Sequence, residues 1–171
     1  MKTVIIYSSL TGNTKKVCEV AYEHLQDEKQ LIKVEDKDTV DWSTVENVII
    51  GYWVDKGTAD AKTRKFLSKL KDKNLYFIGT LGESPTSFHG QKCIKNVTKL
   101  CEKDNQFKGG VLVRGKVSDD LKKKMDKFPL NIVHKFVPNM KQIVLDAEGH
   151  PNEEDFQQVI HFVEETVNPN L

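Results

Sequence analysis

The chain has 171 residues, 38% of them hydrophobic, and its 26 Lys+Arg against 25 Asp+Glu leave a formal net charge of +1. That balance excludes a general nucleic-acid binder, an acidic tail protein and the low-apolar, highly charged profile of a disordered chain. No apolar run nears the ~20 residues that span a bilayer, and too few apolar residues follow Met1-Lys2-Thr3 for a secretory leader. The cysteines, Cys18, Cys93 and Cys101, are odd in number and form no C-x-x-C pair, which argues against a disulfide scaffold or a zinc site. The expectation is one cytoplasmic domain over residues 1–171, with no membrane or nucleic-acid partner.

In chain order, Val4–Tyr7 is a continuous apolar run, as in a strand buried on both faces. Val17, Val20, Ala21 and Leu25 then share a helical face. Leu31–Glu35, interrupted by Lys33, reads as an edge strand. Val48–Trp53 is the third strand, followed by a helix with Thr63, Phe66, Leu67 and Leu70 on one side. Leu75–Thr80 is the fourth, followed by a helix carrying Ile94, Val97 and Cys101, and Gly110–Val113 is the fifth. Residues 116–151 form an insertion too long for a bare loop. Within it, Asp119–Lys127 is expected as a short polar helix stopped before Pro129, and Lys141–Ala147 as an extra strand or a turn. The last helix has a stripe of Phe156, Val159, Ile160, Val163 and Val167. Asn152 suits its cap, with Glu153, Glu154 and Asp155 against its N-terminal dipole.

Buried strands alternating with amphipathic helices predict an α/β fold. The expected form is a doubly wound, five-stranded parallel sheet of order 2-1-3-4-5, with helices on both faces and ligands at the carboxyl ends of the strands. The loop after the first strand is Ser8-Ser9-Leu10-Thr11-Gly12-Asn13-Thr14. Its hydroxyls, amide and backbone N–H groups, opening onto a helix N-terminus, suit a phosphate dianion. The plainer alternative is that Thr11 or Asn13 only caps the helix. No G-x-x-x-x-G-K-[ST] or G-x-G-x-x-G is present, so a triphosphate or a dinucleotide fits poorly and a single terminal phosphate remains.

Ser9–Thr14 resembles the phosphate loop of flavodoxins, [ST]-x-T-G-x-T, in the position where that family carries it. The resemblance extends over roughly residues 3–115 and the final helix. It implies flavin mononucleotide (FMN), with the phosphate on Ser9, Thr11, Gly12, Asn13 and Thr14, Leu10 in the loop and Ser8 at its entrance. The loops after the third and fourth strands then flank the ring. Trp53 is a candidate stacking wall, with Val54, Gly57, Thr58 and Ala59 beside it. By the resemblance, the turn Asp55-Lys56-Gly57 flips a peptide so that a carbonyl meets the flavin N5 on reduction, which a glycine eases. Thr80, Leu81 and Gly82 allow close backbone approach to the pyrimidine edge. Many flavodoxins stack a tyrosine in this second loop. None stands here, so Phe88 or His89 substitutes for it, or that face is open.

His89 is the one histidine expected near the site, where its pH-dependent charge would tune a flavin. Cys18 and Cys101 read as core residues. Cys93 begins a helix whose dipole would lower its pKa, with no histidine or cysteine partner in view. The Lys122-Lys123-Lys124 run reads as a solvated helix. No catalytic residue and no metal ligand is expected. The leading reading is an electron-transfer protein shuttling between a reductase and an acceptor, as a monomer or weak dimer, more a carrier than a stand-alone enzyme. The alternatives are an FMN-dependent reductase acting on a quinone, metal or tetrapyrrole, and an FMN-free interaction domain. With no acidic excess, local patches such as Asp55 and the lysine-rich insertion must select partners.

Overall fold

Each apolar run becomes a strand, and each stripe a helix packed on the sheet. The computed structural model describes residues 2–120, 122–123 and 140–171. In order these form β1 (Lys2–Tyr7), α1 (Asn13–His24), β2 (Glu28–Lys33), a 3-10 turn (Val34–Thr39), β3 (Val45–Asp55), β4 (Thr58–Ala59) and α2 (Ala61–Leu67). They continue with β5 (Asn74–Leu81), α3 (Phe88–Glu102), β6 (Gln106–Arg114), α4 (Met140–Ala147) and α5 (Glu153–Phe162). The chain closes in a π-helical turn (Val163–Val167) and a 3-10 turn (Asn168–Asn170).

The long strands run parallel in the order β2-β1-β3-β5-β6, as expected of the doubly wound type. The two-residue β4 folds back antiparallel on the end of β3. Along β1, Val4 and Ile6 face one layer while Ile5 and Tyr7 face the other. This two-sided burial is why the run is continuous rather than alternating. One layer is Phe66, Leu67 and Leu70 after and within α2, with Cys93, Val97 and Cys101 of α3. The other is Val17, Cys18 and Ala21 of α1, with Val159 and Phe162 of α5 and Val163 and Val167 beyond it. Tyr52 and Phe77 meet edge to face at 5.6 Å inside the first layer. Gly79 makes room for that ring: a Cβ there would lie 2.5 Å from Tyr52 Cζ and 2.7 Å from Leu112 Cδ1.

The last helix starts as the sequence implies. Asn152 Oδ1 accepts the N–H groups of Glu154 and Asp155, and the Asp155 carboxylate accepts the N–H of Asn152, a reciprocal capping box. Asp155 also takes the Arg114 N–H at 3.1 Å and His150 Nδ1 at 2.5 Å, so the end of β6 is tied to the start of α5.

Three expectations change. Lys141–Ala147 is neither strand nor turn but lies in the helix α4. Ile143-Val144-Leu145 reads as a strand locally, yet Met140, Ile143 and Ala147 share one helical face, and Ala147 is buried. The edge strand starts three residues earlier, at Glu28, and ends in a 3-10 turn. The third strand runs beyond Trp53 to Asp55, into the hairpin with β4. Of the expected helix Asp119–Lys127, residues 119, 120, 122 and 123 are helical, and the rest lies outside the described residues.

Gly79→Ala is expected to destabilise the protein by about 1–3 kcal/mol through overpacking against Tyr52. Gly149→Ala, where nothing lies within 4 Å of the added Cβ, is expected to stay within about 0.5 kcal/mol of the parent. Urea denaturation of both variants measures the difference, and equal losses would refute the packing assignment.

Candidate functional site

The carboxyl ends of β1, β3, β5 and β6 lie side by side, and their loops enclose a cavity of about 770 Å³. From the first loop it takes Leu10, Thr11 and Asn13, and from the β3–β4 hairpin Trp53, Val54, Lys56 and Gly57. Thr80, Leu81, Gly82 and Glu83 come from the end of β5, and Phe88, His89, Lys92 and Asn96 from α3. Gly115, Lys116, Val117 and Ser118 follow β6, and Met140 and Ile143 come from α4. The volume lies in the ~300–1,000 Å³ range of small-molecule and cofactor sites.

The first loop is shaped by Ser9. Its Oγ accepts the N–H of Gly12 at 3.1 Å and of Lys15 at 3.3 Å, so a residue outside the helix caps it, rather than Thr11 or Asn13. Gly12 takes the left-handed conformation (φ 90°), which favours glycine, and a Cβ there would meet nothing within 4 Å. The Asn13 amide reaches instead to Lys116 O at 2.9 Å, tying the loop to the segment after β6. Among the described residues, no acceptor takes the N–H groups of Asn13 or Thr14 at the start of α1. Free N–H groups at a helix N-terminus, over an open glycine and beside the Thr11 hydroxyl, form a cradle for an oxyanion.

Thr14 is buried, and its Oγ1 lies 2.9 Å from Thr80 Oγ1, a hydroxyl pair locking α1 to the end of β5. Ser8 is also buried, and its N–H donates to Gly51 O at 2.9 Å. Ser8 and Thr14 therefore stand behind the cavity wall, while Ser9 and Gly12 are partly exposed and lie beside it. Thr58 and Ala59 are also off the wall: they form β4, and Ala59 is fully buried. Of the residues singled out from the sequence, Leu10, Thr11, Asn13, Trp53, Val54, Gly57, Thr80, Leu81, Gly82, Phe88 and His89 are brought together on the wall.

The hairpin turn is Lys56-Gly57, with φ 50° and 80°, while Asp55 is still strand. Such a two-residue turn wants positive φ at both positions. The Gly57 carbonyl already accepts the Asn96 amide of α3 at 2.9 Å. A flip of this peptide therefore has to release Asn96 first, which the sequence reading did not foresee. Phe88 is 88% exposed and stands at the rim rather than as a stacked cover. Met140 and Ile143, from within the insertion, line the cavity as well.

The segment after β6 was also missed. The sequence signal was the glycine after the strand: a Cβ on Gly115 would stand 3.2 Å from both Asn13 Nδ2 and Thr80 Cβ, and one on Gly82 would stand 2.7 Å from Val117. Lys116 is held by Glu148 at 3.1 Å, and Lys122 pairs with the same carboxylate. Lys122 first and Lys116 second hold the Glu148 carboxyl below its ordinary range. Cys93 has a partner after all, His89 Nε2 at 3.6 Å. Burial, with Glu83 adding to it, pushes the thiol up rather than down, so the pair supplies no thiolate nucleophile.

The model of the flavodoxin domain family matches residues 4–164. The chain is 30% identical over 165 residues to a flavodoxin-like domain-containing protein, BilS, of Clostridioides difficile (strain CD3), covering 95% of this chain and 94% of that one. Its fold is similar to that of a short-chain flavodoxin associated with a bacterial microcompartment, with TM-score 0.61 and 14% identity over 100% of this chain and 99% of that one. It is also similar to a flavoprotein from Lactobacillus acidophilus NCFM solved in complex with FMN, with TM-score 0.52 and 16% identity over 74% of this chain and 99% of that one.

Thr14→Val and Thr80→Val are each expected to cost about 1–2 kcal/mol, because each strands the other hydroxyl in the interior. The double variant is expected to cost about as much as either single change, since the stranded partner is gone as well. Denaturation of the three proteins checks this, and strictly additive losses would contradict the pairing.

Proposed function

The chain belongs to the flavodoxin family, and from that premise we propose that the cavity holds FMN non-covalently and that the protein carries electrons between redox partners. The observation that supports this most is the convergence of an oxyanion cradle and a flat apolar wall in one cavity of the right size. The N–H groups at the start of α1 and the hydroxyl of Thr11 receive the phosphate over Gly12. Ser8, Ser9 and Thr14 hold that loop in shape. Trp53 and Val54 flank the ring, and Thr80, Leu81 and Gly82 line its polar edge with backbone donors and acceptors. Thr58 and Ala59 brace the hairpin. Leu10, Phe88 and His89 rim the opening.

When bound, the flavin supplies the redox chemistry. The chain's own work is to bind, orient and limit access, so no side chain has to act as acid, base or nucleophile. In this reading all 171 residues serve one domain, residues 116–151 being an insertion that brings α4 to the site. The partners are a reductase and an acceptor in the cytoplasm. Among the described residues, no helix is long and apolar enough to cross a membrane. A second reading, direct reduction of a small substrate, draws on Met140 and Ile143, which give the cavity an apolar side beyond the flavodoxin loops.

Protein reconstituted with FMN is expected to hold the flavin through gel filtration. It is also expected to accept electrons in two resolved one-electron steps and to oxidise NADPH slowly until a reductase is added. No retained flavin would sink both readings. Rapid NADPH oxidation by the protein alone would replace the carrier with the reductase. Thr11→Ala with Asn13→Ala is expected to weaken FMN binding at least about tenfold, or about 1.4 kcal/mol.

A further inference from the structure

The near-zero net charge conceals a division across the sheet. Between Lys56 and Lys103 the chain carries ten lysines and one arginine against four acids, leaving fifteen of its 26 basic and twenty-one of its 25 acidic residues elsewhere. Of those four acids, Asp60 is buried as the cap of α2, where it accepts the N–H groups of Lys62 and Thr63. This stretch builds one layer of the fold, with α2 and α3 packed on the same face of the sheet and touching each other. Their outer surface exposes Lys62, Lys65, Lys92, Lys95, Lys99 and Lys103. Only Lys62 has an ion-pair partner, Glu35, among the described residues. The opposite layer carries exposed Glu153, Glu154, Glu164 and Glu165 in and after α5.

The basic surface runs into the mouth of the cavity. Lys92 and Lys56 both line it, and Phe88, the most exposed large hydrophobic side chain among the described residues, stands at the start of α3. A cationic field, unpaired except at Lys62 and ending on an exposed aromatic ring, has the form of a docking patch: charge steers the encounter, and the ring supplies a contact that excludes water. The patch is almost all lysine, and Phe88 at its edge is the one phenyl ring it exposes, so a row of stacking rings and bidentate phosphate forks are lacking. Its outer face has no apolar stripe of the kind that enters a lipid surface.

We infer that the outer surface of α2 and α3 docks an acidic partner protein against the cavity mouth at Phe88. The inference rests on the electron-transfer reading and names the chemistry of the partner. It differs from the expectation that Asp55 or the lysine-rich insertion selects the partner, and residues 121 and 124–139 of that insertion lie outside the described residues.

The test is to titrate isotope-labelled protein, with and without FMN, with an acidic [2Fe–2S] ferredoxin as probe, and to follow backbone resonances. Shifts are expected in α2, α3 and the Lys56 turn, weakening as salt rises through about 0.15 M, where the screening length is about 8 Å. Lys65→Glu, Lys95→Glu and Lys99→Glu together, all outside the cavity, are expected to reduce affinity at least about tenfold. The matching triple glutamine variant is expected to show a smaller loss, and Glu165→Lys on the opposite layer no loss. The inference is overturned if the ferredoxin shifts no resonance there, if charge reversal leaves affinity unchanged, or if basic cytochrome c binds the same surface. It is also overturned if duplex DNA or phosphatidylserine vesicles occupy the surface at about 0.15 M salt while the acidic protein does not. A protein that retains no flavin yet gives the expected shifts at Lys62, Lys65, Lys95 and Lys99, which lie outside the cavity, would contradict the electron-transfer reading alone.

Discussion

A parallel ladder leaves the carboxyl ends of its strands side by side, and every feature of this site depends on that constraint. The register sets Tyr7 against Gly51, Trp53 against Thr80, and Leu81 against Arg114, so four loops leave the sheet from one edge. The core residues hold the register from both sides, because a slip of one residue would send Val4 and Ile6 into the layer built for Ile5 and Tyr7. The loops are then cross-tied where they meet: Thr14 to Thr80, Asn13 to Lys116, Asn96 to Gly57. Each of these ties includes at least one residue of the cavity wall, so the same bonds that join the loops also fix the wall.

Most of the fold was legible in the sequence because two-sided burial writes continuous apolar runs and one-sided burial writes helical stripes. Strand order and the cap at Asn152 followed from the same patterns and are present. Lys141–Ala147 was misread because three consecutive aliphatic residues carry no period of their own. The shared face of Met140, Ile143 and Ala147 becomes visible only against what they pack on. The first, third, fourth and fifth expected strands were short by one to four residues at their ends, because charged and amide residues such as Glu46, Asn47 and Gln106 extend the ladder without adding apolar signal.

The site was legible where one loop carries its own chemistry, as in Ser8–Thr14, and illegible where it depends on residues far apart in the chain. Gly115–Ser118 and Asn96 enter through contacts with residues up to 103 positions away. The Cys93–His89 pair, four residues apart on one helix, was within reach of helical spacing. The layered charge was in the sequence all along. It was invisible to a whole-chain total, because α2 and α3 on one face offset α5 on the other.

In the proposed function the cradle over Gly12 binds a phosphate, and the ring contacts are secondary to it. Fluorescence titration of the flavin-free protein with FMN and with riboflavin, which differs only in lacking that phosphate, measures this directly. Binding of FMN at least about 100-fold tighter than riboflavin, about 2.7 kcal/mol, is the predicted result. Equal affinity for the two would contradict it.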